Sequence, residues 1–130
     1  MINFKNKKIL VTGATGGIGR EIVKKFSSLE GSIVATGTNI EKLDLLKKDF
    51  PNVNVIKFDI SEHSRIEEFI ENVNLELGGL DILINNAGTN KDNLSLYQLT
   101  YSGHLMKYRS SNLASPLLLT LEKTCNMEML

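Results

Sequence analysis

The stretch TGATGGIG, residues 12–19, decides the fold, because it separates two segments with different hydrophobic patterns. Before it, residues 8–12 are mostly apolar and β-forming, which predicts a strand with both faces covered. After it, apolar residues recur at helical spacing from Ile18 to Phe26, with charged residues between them. Glycines at such a strand-to-helix turn allow a tight bend, and the free N–H groups of the first helical turn attract anions such as a pyrophosphate.

The same alternation continues to residue 85. Further strands are predicted at 32–36, 53–58 and 81–85, separated by segments with helical periodicity. Parallel strands need a crossover connection, which is usually a helix and is right-handed. The sequence therefore predicts an α/β fold, a Rossmann-type doubly wound parallel sheet with helices on both faces, truncated at about four strands.

Two helix starts are predicted from capping residues. Asn39 is expected to cap a helix whose apolar stripe is Leu43, Leu45 and Leu46, and the Phe-Pro-Asn break at 50–52 ends that helix. Ser61 is expected to cap the next helix. The buried side of that helix is predicted from five apolar residues: Ile66, Phe69, Ile70, Val73 and Leu77.

The pattern is weaker after residue 88. Five apolar residues there follow no clean period: Leu94, Leu96, Leu99, Leu105 and Met106. Residues 113–121 are apolar enough for a buried helix, with Pro116 in its first turn or at a bend. A sheet of four strands would leave the outer edge of the fourth strand open.

Composition argues against several classes of function. The chain of 130 residues carries 15 Lys and Arg against 15 Asp and Glu, so electrostatics favours neither a nucleic-acid partner nor an anionic membrane surface. There is no apolar run of the ~20 residues that span a bilayer and no signal peptide, so we expect a cytoplasmic protein. Cys125 is the only cysteine and His63 and His104 the only histidines, so neither an internal disulfide nor a metal site is expected. His104 is expected at the surface or partly packed, and not as an acid or base.

The glycine spacing is Gly-x-x-x-Gly-x-Gly, which differs from the common Gly-x-Gly-x-x-Gly fingerprint. Together with Asp59-Ile60 after the third strand and Asn85-Asn86-Ala87-Gly88 after the fourth, it resembles the short-chain dehydrogenase/reductase family. The stretch 85–94 is most similar to the bacterial 3-oxoacyl-(acyl-carrier-protein) reductases of that family, which reduce a 3-oxoacyl thioester with NADPH. The resemblance covers residues 5–96, while residues 97–130 diverge. It implies one partial dinucleotide-binding domain over residues 1–130.

The resemblance also implies a cofactor site. It places Gly13, Thr15, Gly17, Ile18 and Gly19 around the cofactor phosphates and ribose, and Asp59 and Ile60 beside the adenine. It places Asn86, Ala87 and Gly88 beside the ribose and nicotinamide, at the carboxyl ends of the strands. Simpler interpretations stay open: a glycine-rich connection without ligand, a solvated Asp59, and turn chemistry alone for Asn85 and Asn86.

The predicted cofactor is NADP in preference to NAD. NAD sites usually carry a carboxylate at the end of the second strand, where it would repel a 2′-phosphate. Here no carboxylate occurs before Glu41, and Thr38 and Asn39 are expected to hydrogen-bond to the 2′-phosphate. Gly16 stands where many NADP-using relatives have an arginine. Lys42 either replaces that arginine or is a solvated helix residue.

The catalytic residues of the family are not found in this sequence. The family uses a Ser and a Tyr-x-x-x-Lys motif to protonate the developing alkoxide. None of Tyr97, Tyr101 and Tyr108 has a lysine four residues later. Asn112 either corresponds to the family's proton-relay asparagine or caps a helix.

The resemblance thus implies the N-terminal fragment of an oxidoreductase, whose full-length relatives form homo-oligomers and act on acyl-carrier-protein substrates. A nucleotide-binding module without catalysis and an inactive remnant are the alternatives. The divergence at 97–111 reflects either a local frameshift or a diverged loop. We expect isolated folding of such a half to be difficult, because the open edge and uncovered apolar surface favour association.

Overall fold

The computed structural model describes residues 3–87, together with the backbone of 98–101 and 104–107. The strands of the parallel sheet are β1 (Lys8–Thr12), β2 (Ser32–Gly37), β3 (Asn54–Lys57) and β4 (Ile82–Asn85). The helices between them are α1 (Gly17–Ser28), α2 (Ile40–Asp49) and α3 (Ile66–Leu77). The helix predicted at 113–121 lies outside the described residues.

The four strands are parallel and lie in the order β3-β2-β1-β4. In the middle of the sheet, Leu10 of β1 is in register with Val34 of β2 and Leu83 of β4. The chain moves outward from β1 in one direction through β2 and β3, and then returns to add β4 on the other side. This reversal creates a crevice at the carboxyl ends of β1 and β4, and it confirms the predicted doubly wound fold.

The sheet continues beyond the four parallel strands. Two further strands, β5 (Gln98–Tyr101) and β6 (His104–Lys107), pair antiparallel, and β5 lies against β4 with Leu99 in register with Ile84. The expectation of an open edge at β4 is therefore wrong. The physical reason is that an exposed strand edge carries unpaired N–H and C=O groups, and a hairpin can satisfy them. Leu99, Leu105 and Met106 showed no helical period because they lie in these short strands.

The core has one layer on each face of the sheet. Leu10, fully buried, belongs to the layer between the sheet and α3, where Phe58 and Phe69 stack with ring centroids 4.2 Å apart. Its neighbours Ile9 and Val11 belong to the layer on the side of α1 and α2. Both faces of β1 are thus covered, which explains its uninterrupted apolar sequence.

The capping predictions had different outcomes. Asn39 caps α2 as predicted, because its Oδ1 accepts the backbone N–H of Lys42 at 3.0 Å. Ser61 does not cap a helix: α3 begins only at Ile66, after a 3₁₀ turn at His63–Arg65, and no side chain caps it. The hydroxyl of Ser61 donates instead to the carboxylate of Asp59, a local bond that competes with helix formation.

The prediction that Leu45 belongs to the apolar stripe of α2 that faces the core is also wrong. Leu43 and Leu46 of α2 are buried, but Leu45 is 58% exposed. Leu43 and Leu46 are three residues apart and share a face of the helix, whereas Leu45 is turned away from it. Within the described residues no helix combines the length and apolar character needed to cross a bilayer.

Truncation of Leu83 to alanine tests the central position of β4. Leu83 is fully buried, so Leu83→Ala should lower the free energy of unfolding by about 2–5 kcal/mol. The matched control is Leu75→Ala on α3, where the side chain is 82% exposed and the change should be within about 0.5 kcal/mol. Urea denaturation followed by circular dichroism measures both. Equal effects of the two variants would contradict this packing.

Candidate functional site

A cavity of about 540 Å³ lies at the carboxyl ends of the parallel strands. It is formed where the turn after β1 meets the ends of β2, β3 and β4, the place where doubly wound sheets bind ligands. The predicted residues that line it are Gly13, Thr15, Gly17, Ile18, Gly19, Thr38, Asp59, Ile60, Asn86 and Ala87. Lining residues that sequence reasoning did not single out for the site are Thr36, Gly37, Phe58 and Ser61, and Gly16 also lines it.

Two glycines of the turn are required by the fold itself. Gly13 has φ +60°, and a Cβ there would come within 2.9 Å of the backbone nitrogen of Ala87. A Cβ at Gly19, which lies in the first turn of α1, would overlap the Gly13 carbonyl oxygen and approach Ala14 Cα to 2.8 Å. Only glycine at both positions lets α1 begin so close to the end of β1.

Two other glycines are not required by packing. Within the described residues, and apart from its chain neighbours and its own helix, a Cβ at Gly17 would meet no atom within 4 Å, and one at Gly16 would meet only the Gly13 carbonyl oxygen at 3.7 Å. Both residues are exposed and line the cavity. The fold therefore leaves space in front of the backbone at the start of α1.

Within the described residues, no acceptor is found for the first N–H groups at this end of α1. Gly16 is the N-terminal cap residue and supplies no side-chain cap, and the first turn of α1 contains no acidic residue. The first N–H groups of a helix have no acceptor within the helix, and the helix dipole adds partial positive charge there. An anionic group with close backbone approach fits this combination of open space and free donors.

The loop after β4 is tied to the glycine turn by hydrogen bonds. The buried Thr12 hydroxyl donates to Asn85 Oδ1 at 2.9 Å and accepts the N–H of Ala87 at 3.0 Å. Asn86 Nδ2 donates to the carbonyl oxygen of Gly13 at 3.1 Å. These bonds fix the loop after β4 relative to the glycine turn. Asn86, which lines the cavity, and Asn85, beside it, therefore also hold the loop in place.

Asp59 is held by its neighbour two residues later. The backbone N–H and the hydroxyl of Ser61 both donate to Asp59 Oδ1, at 2.9 and 2.7 Å. The hydroxyl of Ser61, followed by its backbone N–H, holds the pKa of Asp59 below its usual value. The carboxylate thus stays ionised to lower pH than a free aspartate. Ser61 could have been found from the Asp-x-Ser spacing, which is typical of side-chain hydrogen bonds in turns.

The end of β2 presents few charged groups to the cavity. Thr38 is exposed and lines it, whereas Asn39 does not line it and uses Oδ1 to cap α2. Ile18 is 52% exposed and offers an apolar surface at the cavity wall.

Two predicted site residues, Gly88 and Asn112, lie outside the described residues. In the described part of the chain, no three His, Cys, Asp or Glu side chains are grouped so as to hold a metal ion.

Comparison with known proteins agrees with this architecture. The sequence profile described as short chain dehydrogenase matches residues 7–128. The chain belongs to this family. Its relatives include the 3-oxoacyl-(acyl-carrier-protein) reductase FabG of Aquifex aeolicus, which is 38% identical over 101 residues covering 73% of this chain and 40% of the relative. FabG of Escherichia coli strain K12 is 34% identical over 95 residues, covering 72% of this chain and 38% of the relative.

Another relative is the NADP-dependent 3-hydroxy acid dehydrogenase YdfG of Escherichia coli strain K12, which is 37% identical over 62% of this chain and 33% of the relative. Among solved structures, the short-chain dehydrogenase/reductase SDR:Glucose/ribitol dehydrogenase from Brucella melitensis has a TM-score of 0.64 and 31% identity over 69% of this chain and 40% of that chain. A short chain dehydrogenase from Bacillus anthracis has a TM-score of 0.62 and 28% identity, covering 67% of this chain and 37% of that chain. The chain thus spans about two fifths of the length of the FabG relatives it matches.

The two kinds of glycine respond differently to substitution. Gly19→Ala should lower the free energy of unfolding by about 1–3 kcal/mol or more, because the new methyl group would overlap the backbone of the turn. Gly17→Ala is the matched control in the same helical turn, and its open surroundings predict stability within about 1 kcal/mol of the wild type. Urea denaturation of both variants measures this. A Gly17→Ala variant as unstable as Gly19→Ala would contradict the distinction.

Proposed function

We propose that this chain binds NADP(H) in the cavity and provides the cofactor-binding part of a 3-oxoacyl-(acyl-carrier-protein) reductase of fatty acid synthesis. The observation that carries the proposal is Gly17. Its backbone faces open space at the start of α1, where the fold itself would accept a side chain. A glycine that packing does not need, next to free helix N–H donors, is explained by close approach of a pyrophosphate.

The proposal gives each part of the cavity a role. The first turn of α1 and Thr15 bind the phosphates, and the Asp59 carboxylate accepts from the exocyclic amino group of adenine while Ile60 packs beside the ring. Asn86 and Ala87, held against the glycine turn, lie beside the ribose and nicotinamide together with Gly88. The reduced nicotinamide, when bound, supplies a hydride to a carbonyl carbon.

The preference for NADP over NAD is supported by the end of β2. At the end of β2, the described residues that line the cavity are Thr36, Gly37 and Thr38. None of these three carries a carboxylate that would repel a 2′-phosphate. Thr38 is exposed and lines the cavity, so it can donate its hydroxyl to that phosphate. Asn39 does not line the cavity, and its Oδ1 caps α2, so its proposed contact with the phosphate is through Nδ2. The relative YdfG is itself described as NADP-dependent.

The substrate class is supported by similarity to the FabG proteins, whose name specifies a 3-oxoacyl group on acyl carrier protein. Reduction of such a ketone needs a proton donor, and the sequence contains no Tyr-x-x-x-Lys. We therefore assign cofactor binding to residues 13–88 and leave Asn112 as a proposed proton-relay residue. The second candidate is an NADP(H)-binding module without catalysis.

The proposal predicts binding of NADPH without turnover. Titration of the 130-residue chain, followed by the fluorescence of the reduced nicotinamide, should show tighter binding of NADPH than of NADH. Absence of binding would refute the proposed cofactor site, and tighter binding of NADH would refute the NADP preference. Oxidation of NADPH in the presence of an acetoacetyl thioester by this chain alone would show that its own residues supply the proton.

Gly17→Ala separates binding from folding. The methyl group would occupy the space in front of the first N–H groups of α1, so we expect NADPH affinity to fall by about tenfold or more, equivalent to at least about 1.4 kcal/mol. The same variant should unfold like the wild type in urea. Unchanged affinity would show that no ligand approaches this backbone.

A further inference from the structure

We propose that Ser61 determines which purine the site accepts, by fixing one oxygen of Asp59 so that the other is presented to the base as a hydrogen-bond acceptor. The inference rests on the proposed function, because it concerns the adenine end of the same cavity. Ser61 acts through Asp59 and is therefore a positioning residue. It selects adenine, with an amino group at C6, over hypoxanthine, with a carbonyl oxygen there.

The two oxygens of the Asp59 carboxylate differ in their hydrogen bonds. Both donors of Ser61 bind Oδ1, at 2.9 Å from the backbone N–H and 2.7 Å from the hydroxyl. Within the described residues, no hydrogen bond or ion pair of Asp59 Oδ2 is found. Asp59, Ile60 and Ser61 line the cavity together, and we assign the second oxygen of Asp59 as the acceptor for a ligand there.

The loop keeps Asp59 and Ser61 in this arrangement. The backbone N–H of Glu62 donates to the carbonyl oxygen of Asp59 at 3.0 Å, and that of His63 donates to the carbonyl oxygen of Ser61 at 3.0 Å. These two turns follow β3 directly and fix the backbone on both sides of Ile60. Rotation of the Asp59 side chain would break two hydrogen bonds at once, so the acceptor is held in place before a ligand binds.

Ser61 would also orient the amide of an asparagine at position 59. An asparagine has one oxygen acceptor and one NH₂ donor group. The backbone N–H and the hydroxyl of Ser61 would hold the amide oxygen of this asparagine at the Oδ1 position. The NH₂ group of the asparagine would then take the place of Oδ2. The site would then donate where the wild type accepts, and it would suit the C6 carbonyl oxygen of hypoxanthine better than the amino group of adenine.

The experiment compares two ligands that differ at C6 and at the adjacent N1, which is an acceptor in adenine and carries a hydrogen in hypoxanthine; a base preference that reverses with Asp59→Asn reports on the C6 contact. The 130-residue chain is titrated with NADPH and with reduced nicotinamide hypoxanthine dinucleotide phosphate, with nicotinamide fluorescence as the readout. The wild type should prefer NADPH by about three- to tenfold, and Asp59→Asn should reverse the preference by a similar factor.

The role of Ser61 is tested in the same assay by removing its hydroxyl. Ser61→Ala should reduce the wild-type preference, and in the double variant with Asp59→Asn the reversal should shrink, because only the backbone N–H of residue 61 then holds the amide oxygen at the Oδ1 position. Ser61→Thr keeps a hydroxyl and should restore both preferences. If Ser61 only stabilised the loop, Ser61→Ala would weaken both ligands equally and leave their ratio unchanged, which would overturn the inference.

Failure of the two proposals can be distinguished. A wild-type chain that binds neither ligand refutes the proposed cofactor site and this inference with it. A wild-type chain that binds both ligands, combined with an Asp59→Asn variant that still prefers adenine, refutes the inference alone. Since Ser61 is exposed and Asp59 is only half-buried, urea denaturation should show wild-type stability for all of these variants.

Discussion

The close contact between α1 and the turn after β1 is the constraint on which the rest of the site depends. There is no room for a side chain at Gly19, and Gly13 adopts a left-handed backbone conformation to make the contact possible. The contact brings the first turn of α1 next to the ends of the neighbouring strands. The turn is also bonded to β2, because the N–H of Ala14 donates to the carbonyl oxygen of Thr36 at 3.0 Å. A rigid turn can present the free N–H groups of a helix in one direction, which anion binding requires.

The parts of the fold that could be predicted from sequence are those with a local signal. The buried strands carry uninterrupted apolar runs because both faces are covered, and the helices carry apolar stripes at 3.6-residue spacing. The location of the candidate site followed from these elements, since the carboxyl ends of parallel strands meet at one edge of the sheet. Its individual residues were implied by the family resemblance. Gly13, Asp59 and Asn86 are far apart in sequence but line one cavity for this reason.

The features that could not be predicted depend on competition or on distant contacts. Ser61 has the composition of a helix cap, but the nearby Asp59 carboxylate accepts its hydroxyl and the helix starts five residues later, at Ile66. The pairing of β5 with β4 joins residues whose sequence patterns are short and ambiguous, and nothing local specifies the partner strand. The polar bonds of Thr12 were missed for a similar reason, because its partners are more than 70 residues away.

The hydrogen bonds that shape the cavity bear on whether cofactor binding and proton transfer are separable. Thr12, Asn85, Asn86 and Ala87 bond among themselves and to Gly13, and Asp59 is held by Ser61. The described bonds that fix the proposed phosphate, adenine and ribose contacts thus run within residues 12–87. None of them needs a tyrosine or lysine of the family's catalytic motif. Preorganised contacts of this kind reduce the cost of ordering on binding, so a dinucleotide site built from them does not require the groups that would protonate a substrate.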